Sequence, residues 1–143
     1  MASRRKGRIL AFQALYSWEA SGGGTVLIPE ELLNFSWLEP EQRECLDEGI
    51  VVFSRLLITG TIENIAAVDG MIRSHLENWD FSRLNRVDLA LLRMSAYTMM
   101  YQSDVAPSIV IDEAICISKE FGTEESFRFI NGVLDSIRKT VQG

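Results

Sequence analysis

Apolar residues recur along most of the chain at steps of three and four, and no stretch alternates with period two over the length of a strand. The pattern predicts an all-α protein. Its most apolar run comes first. Ile9, Leu10, Ala11, Phe12, Ala14, Leu15, Tyr16 and Trp18 point almost all round a helix at about 100° per residue, which predicts burial on most sides. Only Lys6, Gln13 and Ser17 share a narrow polar strip.

The sequence SGGG at 21–24 ends that helix, and Pro29 with Glu30 and Glu31 opens a short one reaching to about Trp37, since proline and acids both suit a first turn. Pro40 opens the next in the same way. Leu46, Ile50, Phe53 and Leu57 form one stripe along it, and Gly60 marks a break or kink. Thr61 then caps a further helix with Glu63 in its first turn, buried on the face of Ile62, Ile65, Val68, Ile72 and Leu76. NWDFS at 78–82 reads as a turn, with Asp80 or Ser82 capping the next helix.

A second strongly apolar helix covers 84–102, its core face built on Val87, Leu91, Met94 and Thr98 and widened by Leu89, Leu92, Ala96 and Met99. SDVAP at 103–107 breaks it. The next helix runs over 108–121 and stops at Gly122. Thr123 caps the last one, with Glu124 and Glu125 in its first turn and Phe127, Ile130, Val133, Leu134, Ile137 and Val141 as its core stripe. At 143 residues this is one domain, long enough to bury roughly two-thirds of its unfolded surface.

Charge changes the picture at one place. Arg4, Arg5, Lys6 and Arg8 crowd the start of the first helix, where the macrodipole favours anions. The whole chain carries −6 and this arm, residues 1–8, carries +4, so residues 9–143 carry −10. Segregation of this kind leaves one patch able to hold phosphate and keeps the rest of the surface from doing so. No apolar stretch is long enough to span a membrane, and no signal peptide is legible. Cys45 and Cys116 sit in helical patterns without metal spacing and read as reduced core thiols, as in a cytoplasmic protein.

Catalytic chemistry is hard to assemble from these residues. His75 is the sole histidine; no glycine-rich phosphate loop, nucleophile elbow or zinc-ligand spacing is present. Asp112–Glu113 and Glu124–Glu125 are adjacent pairs that diverge by about 100° on a helix, so they do not couple. The expectation is a binding module with no catalytic residue, cofactor or metal. In the last helix Arg128 faces outward and Phe129 sits at the edge of the core face, so Phe129 is either peripheral core or a stacking platform for a base of single-stranded RNA.

Three blocks carry a family resemblance: RRKGRILAFQALYSWE, WDFSRLNRVDLALLRMSAYTMM and IDEAICISKEFGTEESFRFINGVLDSIRK. In order from residue 4 to about 139, the chain resembles the NusB family of bacterial transcription antitermination factors. The stretch 22–39 matches poorly. The resemblance implies about seven helices in two subbundles and binding to the boxA element of nascent ribosomal RNA together with NusE, a small ribosomal subunit protein. The pair helps load an antitermination complex onto RNA polymerase, with no catalysis.

The same resemblance assigns RNA contacts to Arg4, Arg5, Lys6 and Arg8, to Gln13 and Tyr16 further along the same helix, and to Glu125, Ser126, Arg128, Phe129 and Asn131 in the C-terminal block. It turns Phe129 toward stacking and makes Glu125 a carboxylate that tunes affinity downward. The NusE surface falls on 84–102, with Asp88 and Arg93 as outward charges and Leu89 and Leu92 as apolar contacts. Asp112 stands where the family pattern has an amide, and Met99 where it has a glutamate. Two other readings stay open: a homodimeric helical scaffold that covers its own RNA surface, and the RNA-binding accessory domain of a ribosomal RNA methyltransferase. The second is disfavoured because no cofactor-binding βαβ pattern appears before Gly143.

Overall fold

The computed structural model describes residues 4–22, 27–77 and 80–142, and the described residues are helical without a strand. The elements are α1 (Arg4–Ala20), α2 (Glu30–Leu33), α3 (Pro40–Glu44), α4 (Glu48–Glu63), α5 (Ile65–Ser74), a 3-10 turn (Phe81–Arg83), α6 (Arg86–Tyr101), α7 (Pro107–Phe121) and α8 (Ser126–Gln142). Trp79 and part of the expected 78–82 turn lie outside the described residues, as do Gly23 and Gly24 of SGGG.

The hub is α6, buried without interruption from Asp88 to Met99. On one side α1 and α4 pack against each other and against α6; on the other α7 and α8 do the same, and α5 rests on α4, α6 and α8. This is the expected pair of subbundles sharing one axis. Leu15, Leu57, Ile58, Ile62, Leu91, Leu92, Ile130, Leu134 and Ile137 are among the fully buried side chains, so the stripes read from the sequence meet in one core. Burying a side chain of this size contributes about 1.5–3 kcal/mol.

Among the described residues eight α-helices stand where about seven were expected, because the single helix expected from Pro40 is two. The chain leaves helical geometry after Glu44, and Asp47 starts α4 afresh, its carboxylate accepting from the Gly49 amide at 3.0 Å. N-cap chemistry interrupted a stripe that periodicity alone runs through. The expected break at Gly60 is also corrected. The helix α4 continues to Glu63, and Gly60 is small because a Cβ there would overlap the Tyr97 hydroxyl on α6. Thr61 is fully buried rather than capping. The break falls at Asn64, whose side chain donates to the Gly60 carbonyl at 2.8 Å, and α5 leaves α4 at 75°.

Near the C-terminus, the last helix starts at Ser126 and its first turn holds no acid, so Thr123, Glu124 and Glu125 stand ahead of it rather than as the expected cap and first turn. The Thr123 amide donates to the Ser126 hydroxyl at 3.1 Å. The short helix after Pro29 ends at Leu33, before Trp37. Cys45 and Cys116 are free but exposed, which corrects their expected place in the core. No single described helix is long and apolar enough to cross a membrane.

Candidate nucleic-acid interface

The first turn of α1 is built around one aromatic ring and one carboxylate. Gly7 lets the Phe53 ring of α4 lie against the helix backbone; a Cβ at Gly7 would sit 2.6 Å from it. Arg4 then places its guanidinium 4.4 Å from the centre of that ring, and Arg8 places its own at 5.4 Å. From α7, Glu113 receives Arg5 Nη2 at 2.5 Å and Arg8 Nη1 at 3.2 Å. The two arginines differ in access. The Arg5 side chain is half exposed, whereas Arg8 is almost covered and braces α1 on α7.

Electrostatics follows from this placement. The hydrogen bond from Arg5, against partial burial, holds the Glu113 carboxyl below its usual range. Burial pulls the Arg8 pKa down while Glu113 pulls it up, and burial prevails. At Arg5 the bond to Glu113 raises the pKa. Arg4, Arg5 and Lys6 remain exposed at the helix start.

Two hollows continue the surface from this cationic end. Side chains join α1 to α7 at two levels in the same chain order, Arg5 and Arg8 meeting Glu113 and the Phe12 ring meeting Phe121 at 5.4 Å, and so form a seam. At the far end of that seam a hollow of ≈ 330 Å³ is lined by Phe12, Gln13, Tyr16, Trp37, Val87 and Phe121 among others. A second, of ≈ 610 Å³, lies at the turn between α7 and α8, lined by Lys119, Glu124, Glu125, Phe127 and Arg128 among others.

At the second hollow the expected role of one phenylalanine is corrected. Phe127, expected in the core stripe, is half-buried on the hollow wall with Lys119 Nζ at 5.2 Å and the Arg128 guanidinium at 5.6 Å from its ring. It lies in the first turn of α8, at the end of the bundle. Phe129 is half-buried and packs against the core. Ser126 is buried, its hydroxyl engaged by Thr123, so it positions this turn instead of facing outward. Glu125, Arg128 and Asn131 are exposed.

The four α6 residues expected at a partner surface are interior. Leu89 and Leu92 belong to the buried set, and Asp88 and Arg93 are not outward charges. Arg93, 5% exposed, gives Nε and Nη2 to the two oxygens of Asp69 on α5, both at 2.9 Å, and Nη1 to Glu19 on α1 at 2.7 Å. Burial works against its charge, but the two carboxylates outweigh that and raise its pKa. Asp88 lies in the first turn of α6, its amide bonded to Asn85 Oδ1 at 2.8 Å; burial raises its carboxyl, opposed by Ser126 and Asn85. Arg93 therefore ties α6 to α5 and α1, while Asp88 closes the first turn of its own helix with Asn85.

Among the described residues no cluster of three or more His, Cys, Asp or Glu could hold a metal ion. His75 bonds Ser136 at 2.6 Å and Thr140 at 3.1 Å across to α8, a packing role. What the surface offers is cations beside flat rings, the combination that takes a strand of phosphates and bases.

Comparison with known proteins agrees with that chemistry. The NusB family model matches residues 5–139. The chain is 50% identical over 137 residues to the transcription antitermination protein NusB of Treponema pallidum, covering 96% of this chain and 93% of that one. It is 50% identical over 135 residues to the Treponema denticola protein of the same name, with 94% and 95% covered. Among solved structures, T. maritima NusB superposes with a TM-score of 0.80 at 35% identity, over 97% of this chain and 93% of that one. A structure of antitermination factors NusB and NusE in complex with dsRNA gives 0.81 at 26% identity, over 96% of each chain. The chain thus belongs to the NusB family of transcription antitermination factors, RNA-binding proteins that are not enzymes.

Proposed function

We propose that this chain binds the boxA element of nascent ribosomal RNA as a single strand, together with NusE, in the cytoplasm. There it helps to assemble the antitermination complex on RNA polymerase. The observation that carries the reading is the run of cations, Arg4, Arg5 and Lys6, exposed at the head of a seam that leads to ring-lined hollows, on a chain that is otherwise acidic. The relative solved with NusE and RNA supports the choice of partners.

Within this reading Arg4, Arg5 and Lys6 meet phosphate while Arg8 holds the arm in register. Gln13 and Tyr16 read bases, Arg128 and Phe129 take a phosphate and a base, and Asn131 lies beside them on the exposed side of α8. Glu125 weakens binding by its charge. Contacts of α6 with NusE run through its exposed ends, Arg86 and Tyr101, since Asp88, Leu89, Leu92 and Arg93 are buried.

Fluorescence anisotropy with a short boxA-like strand and a scrambled control, each with and without NusE, tests the proposal. Preference for the boxA-like strand, strengthened by NusE, is the expected result. Equal binding to both strands, unaffected by NusE, would reduce the arm to a nonspecific polycation.

One observation favours self-association as a second state. Val52 and Leu56 are 61% and 51% exposed on α4 and line a hollow with Arg4 and Phe53. A homodimer through that strip covers the arm. A concentration-dependent mass that falls on adding RNA is expected; a dimer that persists in saturating RNA would separate dimerisation from RNA masking.

A further inference from the structure

Trp37 belongs to the segment that matches the family pattern least, yet it forms a wall of the hollow at the far end of the α1–α7 seam. We infer that this hollow, walled by Tyr16, Trp37 and Phe121 with Gln13, is a pocket for one nucleobase of the bound single strand, a subsite that rests on the RNA-binding reading proposed above.

The first support is direction. Tyr16 lies eleven residues from Arg5, which at 3.6 residues per turn places it within about 20° of the same face and about 16 Å along the axis. A strand whose phosphate sits at Arg5 and which tracks the helix therefore passes over the hollow. The rings come from three separate parts of the chain: α1 supplies Tyr16, the end of α7 supplies Phe121, and the link after α2 supplies Trp37. Tyr16 and Trp37 are each 38% exposed, so both present ring surface to solvent in the free protein.

The second support is that the tryptophan wall is held in place before any ligand arrives. Among the described residues Phe35 is the one non-glycine with positive φ, at 54°. A bulky residue in that region is strained and persists only where its surroundings fix it. Phe35 is buried and meets Trp37 edge-on, with ring centres 5.7 Å apart at 84°. Arg55 of α4 holds the preceding residues, its Nε donating to the Leu33 carbonyl at 2.8 Å and its Nη2 to Asn34 Oδ1 at 3.1 Å. The strained turn aims Trp37 at α1.

The third support is polar. Trp37 Nε1 donates to Gln13 Oε1 at 3.1 Å. An indole N–H only donates, so the oxygen of Gln13 must face it and the amide NH₂ must turn away. Gln13 thus brings two oriented donors to a hollow otherwise lined by rings, and Tyr16 adds a hydroxyl. Rings for the faces of a base and donors for its carbonyl or ring-nitrogen edge make a stacking site with limited edge readout.

The test is an abasic scan. A boxA-like single strand and a set of strands each lacking one base are titrated against the wild type, Trp37→Ala and Trp37→Phe, with circular dichroism to confirm folding. Trp37→Ala should lose roughly five- to a hundredfold in affinity at an unchanged salt slope, because no phosphate contact is removed. One abasic position should cost the wild type a similar factor and cost Trp37→Ala nothing further. Trp37→Phe keeps a ring and should stay within a few fold of wild type. Should Trp37→Ala unfold, tryptophan emission decides: RNA must quench the wild type more than Trp37→Phe.

Equal affinity of folded Trp37→Ala and wild type would overturn the pocket. So would a loss spread evenly over every abasic strand, equal quenching of the two proteins, or a defect confined to NusE binding. A wild type that binds none of the strands would sink the RNA-binding reading itself, and the pocket with it.

Discussion

Replacing Asp69 by alanine removes both oxygens that receive Arg93 Nε and Nη2 at 2.9 Å. The guanidinium, 5% exposed, keeps Glu19 as its charged partner at 2.7 Å. Breaking a buried ion pair from one side costs about 3–5 kcal/mol, because the remaining charge stays out of water without its counter-charge. Glu19 still neutralises part of that charge, which places the cost near the lower end, about 3 kcal/mol. Unfolding entropy of about 2.1 cal/mol/K per residue gives roughly 0.3 kcal/mol/K for this chain, so the melting temperature should fall by about 10 °C. Thermal unfolding followed by circular dichroism reads this directly. The informative partner is the double variant Asp69→Ala with Arg93→Met, which removes the stranded charge and keeps an apolar stem of similar length. It should regain most of the lost stability while binding RNA and NusE as the wild type does. A single variant within 2 °C of wild type, or a double variant that loses the sum of both singles, would refute the buried-charge argument. A folded double variant that fails to bind NusE would return Arg93 to a partner surface.

Arg4→Ala and Arg5→Ala should each weaken RNA binding and flatten its log–log salt dependence by about 0.7 per lost single-strand phosphate; isotherms at three salt concentrations check this, and an unchanged slope would detach the arm from phosphate. Phe129→Ala should lower RNA affinity by about 1–3 kcal/mol without altering the slope. Lost stability with full RNA affinity would instead assign that ring to the core. Glu125→Gln should raise RNA affinity in direct titration, and unchanged or weaker binding would contradict it. Glu113 has a lowered folded pKa, so its stabilising contribution is complete above the usual carboxylate range near pH 4.3 and is lost as pH falls through the lowered value. Urea midpoints of wild type and Glu113→Gln should differ at pH 7 and converge as the pH falls through the lowered carboxyl pKa, and a gap that does not narrow with acid would show that Glu113 acts through something other than its charge.

Much of the fold was legible because it rests on periodicity. The stripes through Ile50, Phe53 and Leu57, through Leu91 and Met94, and through Ile130, Leu134 and Ile137 all point inward. The family was legible from three blocks of residues, and the all-helical class from the absence of period two. The breaks were less so. A run of correctly spaced apolar residues looks the same whether one helix carries it or two, and the deciding term at Asp47 is a single hydrogen bond to Gly49. Gly60 reads as a breaker because glycine usually costs a helix stability, yet here its lack of a Cβ admits Tyr97. Which of those two uses applies depends on a neighbour 37 positions away in the chain.

The candidate site divides along the same line. The arm declared itself because four cations in five residues need no partner to be noticed. Trp37 and Phe127 were missed because each gains its meaning from another element: Trp37 from Gln13 and Phe35, Phe127 from Lys119 across the turn. The α6 charges show the converse error. The resemblance puts the NusE surface on this helix and makes Asp88 and Arg93 its outward charges. The helix has no outer face over that length, since every residue from Asp88 to Met99 is buried. A lone arginine inside such a run must be paired if the helix is to fold at all. The sequence did hold that clue: the apolar residues of 84–102 occupied too many sides to leave room for a polar strip. In a helix of that kind the charge is better sought on its neighbours, and Asp69 and Glu19, each beside an apolar stripe of its own helix, supply it. The same reasoning separates the two arginines at Glu113. Arg8 is covered and braces the fold, while Arg5 is half exposed and in the proposed reading exchanges its carboxylate for a phosphate.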